Sequence, residues 1–147
     1  MNENLRFEKV GPDNWREDIQ VKEQQESFVS DLNRTLARAF AYREYRSKAY
    51  MIYLNKICIG IAMYYDLDEC EAYDFSQFFI DKRYQGHGYG KTACKMILEN
   101  MRQDGKYKKV VLCYIDKNIA AKRLYSELGF VETGDVDEDE VVMSLKL

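Results

Sequence analysis

Tyr73-Asp74-Phe75-Ser76-Gln77-Phe78-Phe79-Ile80-Asp81-Lys82-Arg83-Tyr84-Gln85-Gly86-His87-Gly88-Tyr89-Gly90-Lys91 fills residues 73–91, and its reading decides the fold. As far as Ile80 it is aromatic and alternates apolar with polar side chains, the pattern of a strand. Three glycines at alternate positions follow. From Gly90 to Gln103 the period becomes helical: Ala93, Cys94, Ile97, Leu98 and Met101 share one face, and Lys91, Lys95, Glu99 and Arg102 share the other. A strand that runs through glycines into a helix leaves unpaired N–H groups at the positive end of a helix dipole. Glycines also let the backbone approach a bulky anion, so the stretch has the makings of a phosphate cradle. A glycine triplet alone makes a plain tight turn equally well. Neither the dinucleotide spacing Gly-x-Gly-x-x-Gly nor a complete P-loop is present.

Working toward the N-terminus, Ala49 to Leu54 and Ile57 to Tyr65 are β-rich runs joined by the hairpin turn Asn55-Lys56. Gly60, inside the second run, implies a bulge or a close backbone approach. An acidic loop (Asp66, Asp68, Glu69, Glu71) leads into the Tyr73 strand. Leu5 to Glu8 alternates as a first strand ending at Gly11-Pro12, and Asp13 or Asn14 can cap a short helix through Trp15. Leu32, Leu36, Ala39 and Phe40 give helical spacing from Asp31 to Tyr45, while Val21 to Ser30 is polar and only loosely placed.

Toward the C-terminus, Val110 to Ile115 is a continuous apolar run, as expected of a strand covered on both faces. Asn118 then caps a helix through Glu127, with Gly129 at the left-handed C-terminal position. Phe130 to Thr133 and Val141 to Lys146 pair around the acidic tip Asp135 to Glu140, which lacks the glycine of a calcium-binding EF-hand loop. The segment from Tyr73 to Ile115 is thus a βαβ unit with a right-handed crossover.

Length and composition bound the rest. At 147 residues, with 46% hydrophobic and 32% charged side chains and a single proline, residues 1–147 read as one globular domain without a linker. No run reaches the roughly 18 apolar residues of a membrane span, and Met1-Asn2-Glu3-Asn4 does not begin a signal peptide. A net charge of −3 argues against nucleic acid and is compatible with a cationic substrate. Cys58, Cys70, Cys94 and Cys113 have no paired spacing, and His87 is the single histidine, so no metal site is expected. Free, mostly buried thiols and a cytoplasmic location are the expectation.

Two motifs together carry a family resemblance. Gln85-Gly86-His87-Gly88-Tyr89-Gly90 fits Gln/Arg-x-x-Gly-x-Gly/Ala, and about forty residues on comes Asn118-x-x-Ala121-x-x-x-Tyr125-x-x-x-Gly129-Phe130. Phe78 to Phe130 therefore resembles the acetyl-CoA-binding core of the GNAT N-acetyltransferases. The resemblance implies an α/β (α+β) fold: a mixed, mostly antiparallel central sheet of six to seven strands, splayed between the fourth and fifth and flanked by about four helices. It implies that acetyl-CoA is the co-substrate and that no cysteine acts as nucleophile, because the acetyl group passes directly to the amine in a ternary complex. Backbone groups of Phe78, Phe79 and Ile80 would hold the pantetheine arm. Gln85, Gly86, His87, Gly88, Tyr89, Gly90 and Lys91 would hold the pyrophosphate, and Asn118 would contact the cofactor besides capping its helix. Tyr125 would protonate the departing thiolate.

The acceptor is a small-molecule amine in this reading. Val21, Gln25, Phe28 and Val29, with the Phe78 to Gly86 stretch, resemble bacterial spermidine/spermine (diamine) acetyltransferases. Some polyamine acetyltransferases carry an acidic residue where this chain has Ser76; Asp74 shares that strand face, and Glu71, Glu69 and Asp68 lie in the adjoining loop. Asp74, Ser76 and Glu71 are accordingly the candidate substrate contacts, in an acidic cleft near Asp68 to Asp74. Another small amine (an aminoglycoside or amino acid), a protein amine, or a non-catalytic acyl-CoA sensor are the alternatives. A homodimer is compatible with the resemblance.

Overall fold

The computed structural model describes residues 4–147; the first three residues of the Met1–Asn4 stretch lie outside it. Seven strands form one sheet: β1 (Leu5–Lys9), β2 (Lys48–Leu54), β3 (Ile57–Leu67), β4 (Ala72–Ile80), β5 (Lys109–Ile115), β6 (Val131–Asp137) and β7 (Glu140–Lys146), in the order β1-β2-β3-β4-β5-β7-β6. Every neighbouring pair is antiparallel except β4 and β5. The three α-helices are α1 (Leu32–Ala41), α2 (Tyr89–Asp104) and α3 (Ile119–Glu127). The α/β sheet expected from the sequence is therefore present, with three helices in place of about four.

Helices α2 and α3 cover one face of the sheet. There Ala93, Ile97 and Met101 of α2 bury against Ile52, Tyr64, Tyr73 and Leu112. The other face is covered only over β2 to β4, where Leu32 and Leu36 of α1 pack with Ile19, Met51, Ile61 and Phe79. This unequal cover corrects the reading of β5. Val110, Leu112 and Tyr114 are buried, but Val111 and Ile115 are half-buried and Cys113 is exposed, because nothing packs on β5 on the α1 side. Two of the four cysteines, Cys58 and Cys94, are buried and two, Cys70 and Cys113, are exposed.

Three local expectations also change. The short helix after Gly11-Pro12 is a set of turns, in which the Asn14 side chain accepts from Gly11 N–H at 2.8 Å and donates to Lys9 C=O at 3.0 Å. Helix α1 ends at Ala41, Tyr42 stacks on Tyr65 with ring centroids 4.1 Å apart, and Phe40 faces solvent under the Arg43 guanidinium. The closing hairpin is longer than expected: β6 takes in Asp135 to Asp137, and the tip narrows to Glu138 and Asp139, with Glu138 at φ 56°.

Two bulges re-aim β3 and β4. In β3 the register slips at Ile59, so that Ile52 opposes Gly60 while Tyr53 opposes Cys58. In β4 it slips at Ser76, since Met63 opposes Gln77 and Tyr64 opposes Phe75. An extra residue sharpens the local twist and reverses which side chains face each side. Phe75 consequently packs on the α2 side and Phe79 on the α1 side. Gly60 is required by close approach: a Cβ there would sit 2.6 Å from the Phe79 carbonyl oxygen. We expect Gly60→Ala to cost about 1–3 kcal/mol through overpacking. Urea denaturation measures it, and an unchanged midpoint would show that β3 and β4 can part there without penalty.

Candidate active site

The parallel ladder between β4 and β5 is short. It joins Tyr73 to Val110 and Asp74 to Val111, after which the strands diverge. Beyond Asp74, the backbone of β4 borders a cavity of about 390 Å³ in place of a neighbouring strand. The expected splay lies here. Phe75 to Ile80 form one wall; Cys113, Tyr114 and Ile115 of β5 form the other. Asn118, Leu124 and Tyr125 line it from the β5–α3 side, and Gln85, Gly86, Tyr89 and Gly90 from the glycine loop.

The glycine loop is shaped by backbone conformation. Gly86 and Gly88 both adopt φ 82°, and a Cβ on either would meet nothing within 4 Å. Left-handed φ, not crowding, is what demands glycine here, and the open space lies against the first turn of α2, capped by Gly88. His87 and Lys91 stand outside the cavity wall: His87 is exposed with its ring 5.9 Å from that of Tyr89, and Lys91 approaches Glu127 at 3.6 Å. Gln85 is engaged within the protein. Its Nε2 donates to Ile80 C=O at 2.9 Å, and its amide exchanges hydrogen bonds with the Gln25 amide at 2.9 and 3.1 Å.

Asn118 and Tyr125 both face the cavity. The Asn118 side chain caps α3 by accepting from Ala121 N–H at 3.2 Å, which leaves its amide group free to donate. Tyr125 is half-buried between the edges of Phe75 and Phe130, at centroid distances of 6.3 and 5.7 Å. Its hydroxyl makes no hydrogen bond to another described residue. Burial, with a smaller contribution from Cys94, raises its pKa well above the ordinary phenol value.

The proposed substrate contacts separate. Ser76 lines the cavity at the bulge and accepts from Arg38 Nε at 2.6 Å. Asp74 lies one step deeper, outside the wall, where it accepts from the Tyr65 hydroxyl at 2.9 Å. Burial pushes its carboxyl up, while Tyr65 and Arg38 offset part of the rise. Glu71 precedes β4, roughly 20 Å along the strand direction from Phe78. The acidic loop around it forms no acidic cleft. Asp66 pairs with Arg46 at 2.6 Å and Lys106 at 2.7 Å, and Asp68 accepts from Lys106 and the Tyr107 hydroxyl. Among the described residues, no three His, Cys, Asp or Glu side chains gather as a metal site would require.

A second lobe of about 680 Å³ continues the cleft past Phe79 and Ile115 toward Glu26, Ser30, Asp31 and Arg34. Its roof is the N-terminal segment that the sequence placed only loosely. Besides the bonds from Lys82 N–H to Gln20 C=O and from the Arg83 guanidinium to Asp18 C=O, two side-chain contacts hold it down. One is the Gln25–Gln85 amide pair. The other is Asp81, only 1% exposed, which accepts from Gln20 N–H at 2.9 Å and from Arg83 N–H and Nε at 2.9 and 2.8 Å. Sequence reading missed the positions of Cys113 and Glu140 on the wall. For Cys113, exclusion from the buried side of β5 was the available signal; for Glu140, the acidic run hid it.

Comparisons with known proteins agree with this geometry. Residues 13–130 match the acetyltransferase (GNAT) family. The spermine/spermidine N(1)-acetyltransferase of Bacillus subtilis is 32% identical over 126 residues, covering 82% of each chain. Among solved structures, spermidine N-acetyltransferase from Vibrio cholerae, in complex with CoA and spermine, superposes with a TM-score of 0.79 at 18% identity, over 99% of this chain and 96% of that one. An acetyltransferase from Thermus thermophilus gives 0.79 at 16% identity over 97% of both chains.

Asp81 makes the roof pH-sensitive. Burial alone would raise its carboxyl, but Arg83 and the backbone amides of Gln20 and Arg83 hold it below the ordinary carboxylate range. With the folded value below the unfolded one, its contribution is full at neutral pH and disappears as pH falls through the folded value. Asp81→Asn should lower stability by about 1–3 kcal/mol at neutral pH. The gap between native and variant should close as pH drops from about 5 toward 2. Urea midpoints across that range test this; a gap that ignores pH would assign Asp81 a purely steric role.

Proposed function

The chain belongs to the acetyltransferase (GNAT) family, and from that premise we propose that it transfers the acetyl group of acetyl-CoA directly to a primary amine of a polyamine such as spermidine or spermine. The observation that carries this reading is the gap left when β4 parts from β5. Its β4 edge faces no neighbouring strand, its rim is a left-handed glycine loop at a helix N-terminus, and its wall includes Tyr125. In this reading the backbone of Phe78, Phe79 and Ile80 receives the pantetheine arm as an added strand. The loop from Gln85 to Lys91 meets the pyrophosphate, with Gly86, Gly88 and Gly90 supplying the close approach, and Asn118 donates to the cofactor.

The chemistry asks little else of the protein. A neutral amine nitrogen attacks the thioester carbon, the C–S bond breaks, the nitrogen loses its proton to water, and the sulfur gains one. Tyr125 is the donor. A phenol with a raised pKa is a poor acid toward a solvated thiolate, but the thiolate leaves inside the same partly buried cleft. Burial has the same effect on thiols elsewhere in this protein, pushing Cys58 up to about 12. Acid and leaving group therefore rise together, and the transfer stays matched.

Thiol release from acetyl-CoA over a panel of amines tests the reading. We expect turnover with spermidine or spermine, and a fall in kcat of roughly 100-fold in Tyr125→Phe. The rate should climb with pH as the ammonium deprotonates, without a falling limb below about pH 10, because Tyr125 remains protonated. Turnover only with an aminoglycoside, amino acid or protein amine would move the acceptor. Tight acetyl-CoA binding with no release on any amine would make the domain an acyl-CoA sensor. Gly88→Val, forced into left-handed φ, should weaken acetyl-CoA binding more than tenfold while circular dichroism stays native. Unchanged affinity would remove the loop from the cofactor site.

A further inference from the structure

Glu140 opens β7 directly opposite Ile115, the last residue of β5, and it lines both lobes of the cleft. Among the described residues it is the one carboxylate on the wall of the inner lobe, the lobe that also holds Ser76, Phe78 and Tyr125. Most carboxylates near the sheet are engaged: Asp66 and Asp104 with Arg46, Asp81 with Arg83, Asp74 with Tyr65. Glu140 has no ion pair and no side-chain hydrogen bond to another described residue. Burial is the main cause of the raised pKa values of Asp74 and Cys113, and the Glu140 charge adds a smaller contribution to both, so it is felt inside the splay. Farther out, the second lobe carries Glu26 and Asp31 but also Arg34, and Asp31 already accepts from Arg34 N–H at 2.8 Å. A cation moving outward thus meets a guanidinium, whereas one at the junction of the lobes meets an uncompensated carboxylate.

We infer that Glu140 is the specificity residue of the acceptor lobe: it holds the second, non-reacting ammonium of a diamine or polyamine while the first amine lies in the inner lobe. This rests on the acetyltransferase reading above and names the residue that selects its substrate class. A carboxylate bridging the two lobes suits an acceptor with two cations separated by a short methylene spacer. A monoamine has nothing to place there. The chain positions Glu140 through the hairpin, since its strand neighbour Ile115 immediately precedes the turn into α3, the helix that carries Tyr125. The anchor and the acid are therefore set by the two sides of one strand end.

The experiment is a specificity ratio. The value of kcat/KM for spermidine divided by that for butylamine is measured in the native protein, in Glu140→Gln and in Asp139→Asn. Asp139 is the hairpin-tip neighbour, outside both lobes, and controls for the general loss of one negative charge. Glu140→Gln should lower the ratio about tenfold, mainly through KM for spermidine, with Asp139→Asn within twofold of native. A Glu140→Gln ratio within twofold of native, or an equal fall in both variants, would overturn the anchor. Absence of any amine turnover in the native protein would instead sink the acetyltransferase reading and leave no ratio to measure, so the two failures are distinguishable. Circular dichroism confirms that each variant is folded, and Glu140→Asp, which keeps the charge, should recover part of the ratio.

Discussion

Everything in this structure depends on β4 leaving β5 after two paired residues. Peptide groups on a strand seek partners, and an interior strand left unpaired is costly unless water or a ligand takes the empty places. Here the departure is built from the inside. The bulge at Ser76 adds twist, and the rings of Phe75, Phe78, Tyr125 and Phe130 form a chain of tilted and edge contacts behind it. The parallel crossover between the two strands is α2, whose N-terminus is presented at the rim. One irregularity thus creates the cavity, exposes the peptide edge and places a helix dipole beside it.

The N-terminal half supplies the roof, and it is attached by contacts of long sequence separation. Gln20 and Gln25 reach residues about sixty positions later, at Asp81 and Gln85. One attachment is ionic and pH-dependent, the other a neutral amide pair indifferent to pH and to salt. At the opposite end of β4 the sheet is held by a dense ionic cluster. There Arg46, itself in a left-handed conformation, forks onto both Asp66 and Asp104, and Arg46 and Tyr73 together hold the Asp104 carboxyl far below its ordinary range. Of the acidic residues that suggest a cation site in the sequence, Asp66 and Asp68 are consumed by this cluster, and Asp74 is held by the Tyr65 hydroxyl. The carboxylate on the inner wall, Glu140, lies in a segment whose sequence reads as a solvated tip.

The fold was legible because its signals were local. The alternation of Tyr73 to Ile80, the glycine triplet and the helical face of Ala93 to Met101 each identify one element, and Gly129 at φ 100° ends α3 where expected. The glycine-loop rim of the cleft is written in contiguous residues, of which Gln85, Gly86, Tyr89 and Gly90 line the cavity while His87 and Lys91 do not. The rest of the wall is not contiguous. Ser76 reaches the wall through a bulge that reverses strand parity, Cys113 is bare because no helix spans β5 on that side, and Glu140 arrives from the C-terminal hairpin. Such positions follow from which element covers which, a property of the whole sheet that no single window of sequence contains. The same reason accounts for Phe40, whose spacing suits the core but whose helix presents it to solvent.

The two-rung junction between β4 and β5 has a consequence for the life of the protein in a cell. The β1–β4 meander and the β5–β7 group each have contiguous pairing, but the ladder between them is held by little more than Tyr73 and Asp74. A ligand that fills the missing rungs binds the folded state and not the unfolded one, so it protects the chain in proportion to its own abundance, by RT ln(1 + [L]/Kd). Degradation by proteases that sample partly opened molecules would then be slowest when the acyl donor is plentiful and fastest when it is scarce. The amount of enzyme would follow the supply of its donor with no dedicated regulator, as a property of an interrupted sheet.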